Sequence, residues 1–245
     1  MVKRLVAVIS YDGSAFKGYQ IQPDSFTIQG EIEKVLKRIL QCDVKIYASG
    51  RTDRGVHALG QIIHFDVDVE VDAYKLLASV NALLPPSIRF LNIYETSPNF
   101  HSRFGAIRKH YRYVICNDNV LLPFENNYSL LIKDYVNEVE INKILDTFIG
   151  KHNFKNFTSK EEDEDNYLRT IQNITVRRID NHIYIDFYGD GFMRYMIRMI
   201  LGTTLAVYFG KEDLNYIKSR LDSEVDEVTS YNISPSGLYL VEVTY

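Results

Sequence analysis

The order in which strand-like and helix-like hydrophobic patterns follow one another constrains the fold of this chain more than any other feature. Residues 3–11 form a short alternating apolar stretch that predicts a strand. Thr27 is placed as the N-cap of a helix whose apolar side chains repeat with helical spacing up to Leu40. Two strands, a second helix that ends at the Pro85-Pro86 pair, and a fourth strand follow in that order: 44–48, 63–67, 72–84 and 88–95.

The second half of the chain repeats this succession of patterns without clear sequence identity to the first. Strands are predicted over 109–117, 171–179, 182–188 and 237–244, and helices over 139–148, 192–209 and 213–221, with Gly210 at the C′ position of the long helix. A β-α-β-β-α-β order is typical of the split β-α-β, or ferredoxin-like, motif. We therefore predict an α+β protein with mostly antiparallel sheets. Its two ferredoxin-like halves, residues 1–105 and 106–245, would enclose a central active-site cleft.

Composition and charge narrow the class of protein. Hydrophobic residues make up 46% and charged residues 24%, as in ordinary globular proteins. No apolar run approaches the roughly 20 residues that cross a bilayer, so no membrane contact is expected. The presence of only two cysteines favours a reduced, cytoplasmic location over a disulfide framework. The net charge of −4 includes an acidic run at 161–165, whereas residues 103–113 are basic, as in a solvated face or a phosphate-binding surface.

Residues 50–58, Gly-Arg-Thr-Asp-Arg-Gly-Val-His-Ala, carry the clearest chemical signal and fall between two predicted strands. Arg51 and Arg54 flank Asp53, and neighbouring cations lower the pKa of a carboxylate and keep it ionised. Such a carboxylate could act as a nucleophile or a base. It could equally cap backbone N–H groups in a turn, as loop aspartates commonly do. The spacing alone does not name a reaction.

The same segment, followed by Gly60-Gln61 and His64-Phe65, resembles the catalytic signature of the tRNA pseudouridine synthase A family. The resemblance covers the whole chain in five ordered segments. One segment is the Asp53 loop. Two more are residues 11–31, with Tyr-Asp-Gly and Phe-Lys-Gly-Tyr-Gln-Ile-Gln, and residues 100–113, with Lys-His-Tyr-Arg-Tyr. The last two are residues 192–202, with Phe-Met-Arg-Tyr-Met-Ile-Arg, and the closing strand, with Ser-Gly-Leu.

The resemblance implies the pseudouridine synthase fold and the isomerisation of uridine in the anticodon stem-loop of tRNA, at positions 38, 39 and 40. It implies a homodimer and, because the reaction is redox-neutral and consumes nothing, no cofactor or metal. Asp53 would be the essential carboxylate. Tyr111 would stack on the target uracil, or be a core aromatic of its strand, and Arg51 would fill the space of a flipped base. Arg198 would pair with Asp53, or be a surface or phosphate-binding residue of its helix, and Leu238 would pack against the uracil, or only within the core.

Two departures from the family pattern and three alternatives accompany this interpretation. Tyr19 stands where the family usually has Trp, and Arg54 stands where a small residue is common. One alternative is a metal-dependent hydrolase whose ligands are drawn from Asp12, Asp53, His57 and His64. Another is a non-catalytic RNA-binding protein on the same fold. The third is a related enzyme that modifies other tRNA positions or other RNAs.

Overall fold

The computed structural model describes residues 2–159 and 167–245, and the acidic run at 161–165 lies outside them. The chain forms two compact units, one of Met1–Ile107 with Tyr239–Tyr245 and one of Arg108–Leu238. The final residues of the chain therefore belong to the first unit. The division into independent domains at 105 and 106 stays a prediction.

The strands in the described residues are β1 Lys3–Tyr11, β2 Tyr47–Ala48, β3 His57–Val67, β4 Ile88–Thr96, β5 Arg108–Cys116, β6 Leu130–Leu131, β7 Gly150–Asn153, β8 Leu168–Ile179, β9 His182–Gly189 and β10 Leu238–Thr244. The α-helices are α1 Ile28–Leu40, α2 Ala73–Leu83, α3 Glu138–Leu145, α4 Met196–Tyr208 and α5 Leu214–Leu221. The mixed α+β class with a mostly antiparallel sheet is confirmed. No helix in these parts of the chain is long and apolar enough to cross a membrane.

The first unit has the strand order of a split β-α-β motif. β4 and β3 flank β1 in antiparallel register, and β2 lies on the other edge of β3. β10 pairs in parallel with the beginning of β3, where Tyr239 is opposite His57. β3 is thereby held on both edges next to the loop that precedes it.

Helix α1 illustrates why the local sequence was informative. The Thr27 side chain accepts a hydrogen bond from the Gly30 N–H (3.3 Å), as expected for an N-cap, and Gln41 ends the helix in a left-handed conformation. Its buried residues, Ile28, Ile32, Val35 and Leu36, lie on one helical face. The predicted helix boundaries are confirmed.

The second unit is built on the antiparallel order β5-β9-β8-β7, with the short β6 parallel to β5. Its core holds fully buried aromatic and aliphatic side chains, among them Tyr113, Phe148, Phe154, Phe157 and Phe187. Helices α3 and α4 contact each other, and α3 also packs on β8.

Several boundaries predicted from the sequence were wrong, among them the start of β8, which is Leu168 rather than 171, and the end of α3, which is Leu145 rather than 148. The second strand begins at Tyr47 rather than at 44, and β3 begins at His57 rather than at 63. The long helix begins at Met196 rather than at 192, because Tyr195 adopts a left-handed φ of 63° and interrupts the helical backbone. Gly210, with a φ of +69°, follows the end of that helix as predicted.

Candidate active site

The loop that carries Asp53 is anchored at its start by a buried glutamine. The Ser49 N–H donates to the Ile62 carbonyl (2.8 Å), and the Gln61 Nε2 donates to the Gly50 carbonyl (2.7 Å). The Gln61 Oε1 accepts a hydrogen bond from the Ser49 hydroxyl. Because Gln61 is completely buried within β3, it ties the entry of the loop to a rigid strand.

Thr52 fixes the middle of the loop through both its backbone and its side chain. Its carbonyl accepts from the Tyr19 N–H (3.0 Å), and its hydroxyl shares a hydrogen bond of 2.8 Å with the Tyr11 hydroxyl. Thr52 and Tyr11 are both buried. The residue immediately before Asp53 therefore has little freedom to move.

Asp53 opens a tight turn and is half-buried. Its carbonyl accepts from the Val56 N–H (3.1 Å), and Gly55, the third residue of the turn, has a φ of +81°. A positive φ at this position favours glycine, which explains one of the two glycines in the segment. The backbone of Asp53 is thus defined on both sides, by Thr52 and by the turn.

The exit of the loop packs against the segment that follows β1. A Cβ added at Gly13 would overlap the backbone carbonyl of Val56, so only glycine fits there. The Gly13 N–H donates to His57 Nδ1 (3.1 Å), and the His57 ring stacks on Tyr239 with 4.8 Å between centroids. His57 is 2% exposed, so it packs within the protein and is not presented to solvent.

The other residues implied by the resemblance lie in the second unit, apart from Arg51, which is exposed on the Asp53 loop. Tyr111 lies on β5 and meets Phe192 edge to face, with 5.3 Å between ring centroids. In the first turn of α4, the Arg198 Nε donates to the Ile233 carbonyl (2.7 Å), and its guanidinium lies over the Tyr195 ring. Leu238 is buried at the start of β10. The functional roles of these residues stay predictions.

The basic segment at 103–113 is partly neutralised within the second unit. Asp186, which is 2% exposed, receives hydrogen bonds from Arg112 (2.8 Å) and lies 2.7 Å from His110. Burial raises the pKa of Asp186, but the bonds from His110 and Arg112 together outweigh it and hold that pKa below its ordinary value. Since Arg112 already faces a carboxylate, a phosphate-binding surface would have to rely on exposed residues such as Arg103 and Arg108.

The alternative of a metal-dependent hydrolase includes His57 and His64 among its ligands, and the Nδ1 atoms of both rings accept hydrogen bonds from backbone N–H groups. His57 Nδ1 accepts from the Gly13 N–H and lies 3.2 Å from the Asp12 carboxylate, so two of the predicted ligands are in contact. His64 Nδ1 accepts from the Ser102 N–H (3.2 Å). His64 is 2% exposed. Burial, with the nearby Arg4 and His101, lowers its pKa to about 4. These contacts give both rings a structural role in packing.

Comparison with known proteins decides the family. A sequence model described as tRNA pseudouridine synthase matches residues 7–105 and 144–245. The chain belongs to the tRNA pseudouridine synthase family. It is 36% identical over 244 residues to tRNA pseudouridine synthase A of Finegoldia magna, with 100% of each chain covered. It is 40% identical over 250 residues to the protein of the same name from Listeria welshimeri, with 99% of each chain covered.

A solved structure of a Cbf5–Nop10–Gar1 complex also aligns with 82% of this chain and 53% of its own, at 12% identity and a TM-score of 0.35. That likeness is too remote to add to the argument. The family predicted from the sequence motifs is confirmed by the family model and the relatives.

Within this tRNA pseudouridine synthase, the motif residues that surround Asp53 have structural tasks that the sequence did not reveal. Tyr11, Thr52 and Gln61 all belong to the sequence motifs, but nothing in their spacing indicates that Tyr11 bonds to Thr52 or that Gln61 bonds to the Gly50 carbonyl. Tyr19, which replaces the usual tryptophan, is 2% exposed, and its hydroxyl has no hydrogen-bond partner among the described residues. Its backbone N–H nevertheless supports Thr52, so the replacement keeps the main-chain contact with the loop.

Proposed function

We propose that this member of the tRNA pseudouridine synthase family isomerises uridine to pseudouridine within tRNA, with Asp53 as its essential carboxylate. The observation that carries the proposal is the fixation of the Asp53 backbone by Thr52, Gln61 and the Gly55 turn. A catalytic group needs such a rigid support, because small displacements from productive geometry cost large factors in rate.

The reaction rearranges bonds within one nucleotide. The N1–C1′ glycosidic bond breaks, the uracil turns, C5 bonds to C1′, and the proton on C5 leaves while N1 gains one. No electrons or groups are exchanged with another molecule, so the chemistry requires no cofactor. Asp53 acts either as a nucleophile or as a base in this sequence.

The remaining site residues act on the base that leaves the RNA stack. Flipping a base out costs a few kcal/mol, which phosphate contacts offset. In this proposal Tyr111 stacks on the uracil, a contact worth roughly 1–3 kcal/mol per base. Arg51 occupies the vacated space, Leu238 packs on the uracil, and Arg198 pairs with the Asp53 carboxylate and keeps it ionised.

Release of tritium from tRNA labelled at uridine C5 tests the function directly. The wild type should release tritium, and the Asp53→Asn variant should bind tRNA but release none. Asp24→Asn is the matched control, because Asp24 is exposed in the same unit and its φ of 50° suits asparagine equally well. Activity in Asp53→Asn would overturn the role of Asp53. A wild type that binds tRNA without tritium release would favour the non-catalytic RNA-binding protein, and loss of activity in EDTA while the protein stays folded would favour a metal enzyme.

The finer substrate choice is proposed from the same family pattern: positions 38, 39 and 40 of the anticodon stem-loop, bound by a homodimer in the cytoplasm. Mapping of pseudouridines in tRNA from a strain that lacks the protein tests the positions, which should lose the modification at these three sites only. Light scattering of the purified protein should give twice the mass of one chain. Loss at other positions, or a monomeric mass, would contradict the respective proposal.

A further inference from the structure

Three metal-ligating side chains meet at one end of the β5–β9 pair in the second unit. Cys116 is the last residue of β5, and His182 is the first residue of β9, directly opposite it in register. Directly opposite residues of an antiparallel pair have Cβ atoms about 4.5–5.5 Å apart on the same face. Glu125, in the short 3₁₀ helix Pro123–Glu125, brings a carboxylate to the same place.

The ligand atoms have nearly the spacing of a bound metal. The His182 Nε2 and Glu125 Oε1 lie 3.2 Å apart. One ligand atom from each of Cys116, Glu125 and His182 lies within 4.8 Å of the other two. Bonds from zinc to sulfur, nitrogen and oxygen ligands are about 2.0–2.3 Å long, so ligand atoms on one zinc ion lie about 3–4 Å apart. Small changes in the side-chain torsions, without movement of the backbone, would bring the three ligand atoms to the spacing that one ion requires.

The backbone around the cluster is held in place by further hydrogen bonds. The Asn117 N–H donates to the Asn181 carbonyl (2.7 Å), and the Asn181 side chain donates to Asp118 (2.6 Å). β6 pairs with Ile115 and Cys116, and the Ser129 N–H donates to the Glu125 carbonyl. The three chain segments that supply ligands therefore have a supported backbone, which metal sites require of their surroundings.

We propose that Cys116, Glu125 and His182 bind one zinc ion, with a water molecule in the fourth position. A thiolate, an imidazole and a carboxylate together favour zinc over magnesium or calcium, which prefer oxygen ligands. Binding releases the Cys116 proton to solvent and joins the segment that contains Glu125 to the strands β5 and β9. The site lies wholly within the second unit, uses none of the residues assigned to the isomerisation, and so stands or falls independently of the proposed function.

Cobalt substitution tests the thiolate ligand. The chelator-treated full-length protein is titrated with Co²⁺, whose thiolate complexes show a charge-transfer band in the near ultraviolet. The band should reach its full intensity at one equivalent in the wild type and be absent from Cys116→Ser. The only other cysteine in the chain, Cys42, provides the matched control, and Cys42→Ser should keep the band. Absence of the band from the wild type in excess cobalt, or its presence in Cys116→Ser, would refute the site.

Two further variants keep the test decisive if Cys116→Ser does not fold. His182→Gln and Glu125→Gln retain the buried thiol, and each should weaken zinc binding roughly 10–100-fold or more, measured by competition with a chromophoric chelator. Zinc should raise the melting temperature of the wild type and of Asp53→Asn by several degrees, but not that of His182→Gln. Equal zinc affinity in all these proteins would mean that His182 and Glu125 contact each other beside a buried thiol but bind no metal, and would refute the site.

Discussion

Two buried tyrosines beside the Asp53 loop allow the support of that loop to be tested by removal of a single hydroxyl group. The rings of Tyr11 and Tyr19 lie 6.2 Å apart, and both are 3% exposed or less. Burial raises the pKa of each phenol, so both stay protonated. They differ in one respect: the Tyr11 hydroxyl bonds to Thr52, whereas that of Tyr19 has no partner among the described residues.

Substitution of Tyr11 by Phe should reduce both stability and turnover. It removes the 2.8 Å hydrogen bond and takes a partner from the buried Thr52 hydroxyl, a loss that costs about 1–3 kcal/mol. Because Thr52 immediately precedes Asp53, loosening it displaces the carboxylate, and a displacement of about 1 Å can lower the rate on the order of 100-fold. We expect kcat to fall by about 10–100-fold with little change in KM, since Tyr11 does not contact RNA in this proposal.

Substitution of Tyr19 by Phe is the matched control. It removes a buried hydroxyl that has no partner in the described part of the chain, so stability should stay the same or rise by about 1 kcal/mol. The backbone bond from the Tyr19 N–H to the Thr52 carbonyl is untouched, so turnover should also be unchanged.

Urea unfolding gives the free energies, and tritium release from labelled tRNA gives kcat and KM for both variants. If Tyr19→Phe were as destabilising as Tyr11→Phe, the distinction between a bonded and an unbonded hydroxyl would be wrong. If Tyr11→Phe lost stability but kept full turnover, the loop would not need Thr52 to position Asp53.

Two other outcomes follow from the same contacts. Gly13→Ala should lower the free energy of unfolding by about 1–3 kcal/mol and also lower kcat, because the added Cβ would push the Val56 carbonyl at the end of the loop. Urea unfolding and tritium release measure the two effects. Wild-type stability and turnover would contradict this packing. His64, with a folded pKa of about 4, takes up its proton near pH 6.5 when unfolded, so the unfolded state binds more protons between these values. As the pH falls from about 6.5 to about 4, the contribution of His64 should therefore lower the free energy of unfolding by about 2–3 kcal/mol. Urea unfolding at about pH 7 and about pH 4 should show a smaller loss for His64→Gln, and an equal loss would refute the assignment.

Helix ends were predicted correctly where the residues that set them lie next to the helix in the sequence. The N-cap at Thr27, the Pro85-Pro86 stop and Gly210 after α4 each act through the backbone of a few neighbouring residues, and all three have the predicted effect. The early start of β3 was missed because His57 and Gln61 are polar residues buried by tertiary contacts, which breaks the expected hydrophobic pattern. The start of α4 was missed because a left-handed tyrosine has no signature in the sequence.

The sequence by itself determined the succession of strands and helices, the chemical character of the Asp53 loop and, through its motifs, the family. Only the tertiary structure decided that the side chain of Tyr11 and not that of Tyr19 bonds to Thr52, that Asp186 contacts His110 and Arg112, and that Cys116, Glu125 and His182 converge. The physical reason is that dihedral preferences and hydrophobic period act over a few residues. Side-chain partners, by contrast, are set by strand register between segments that are distant along the chain.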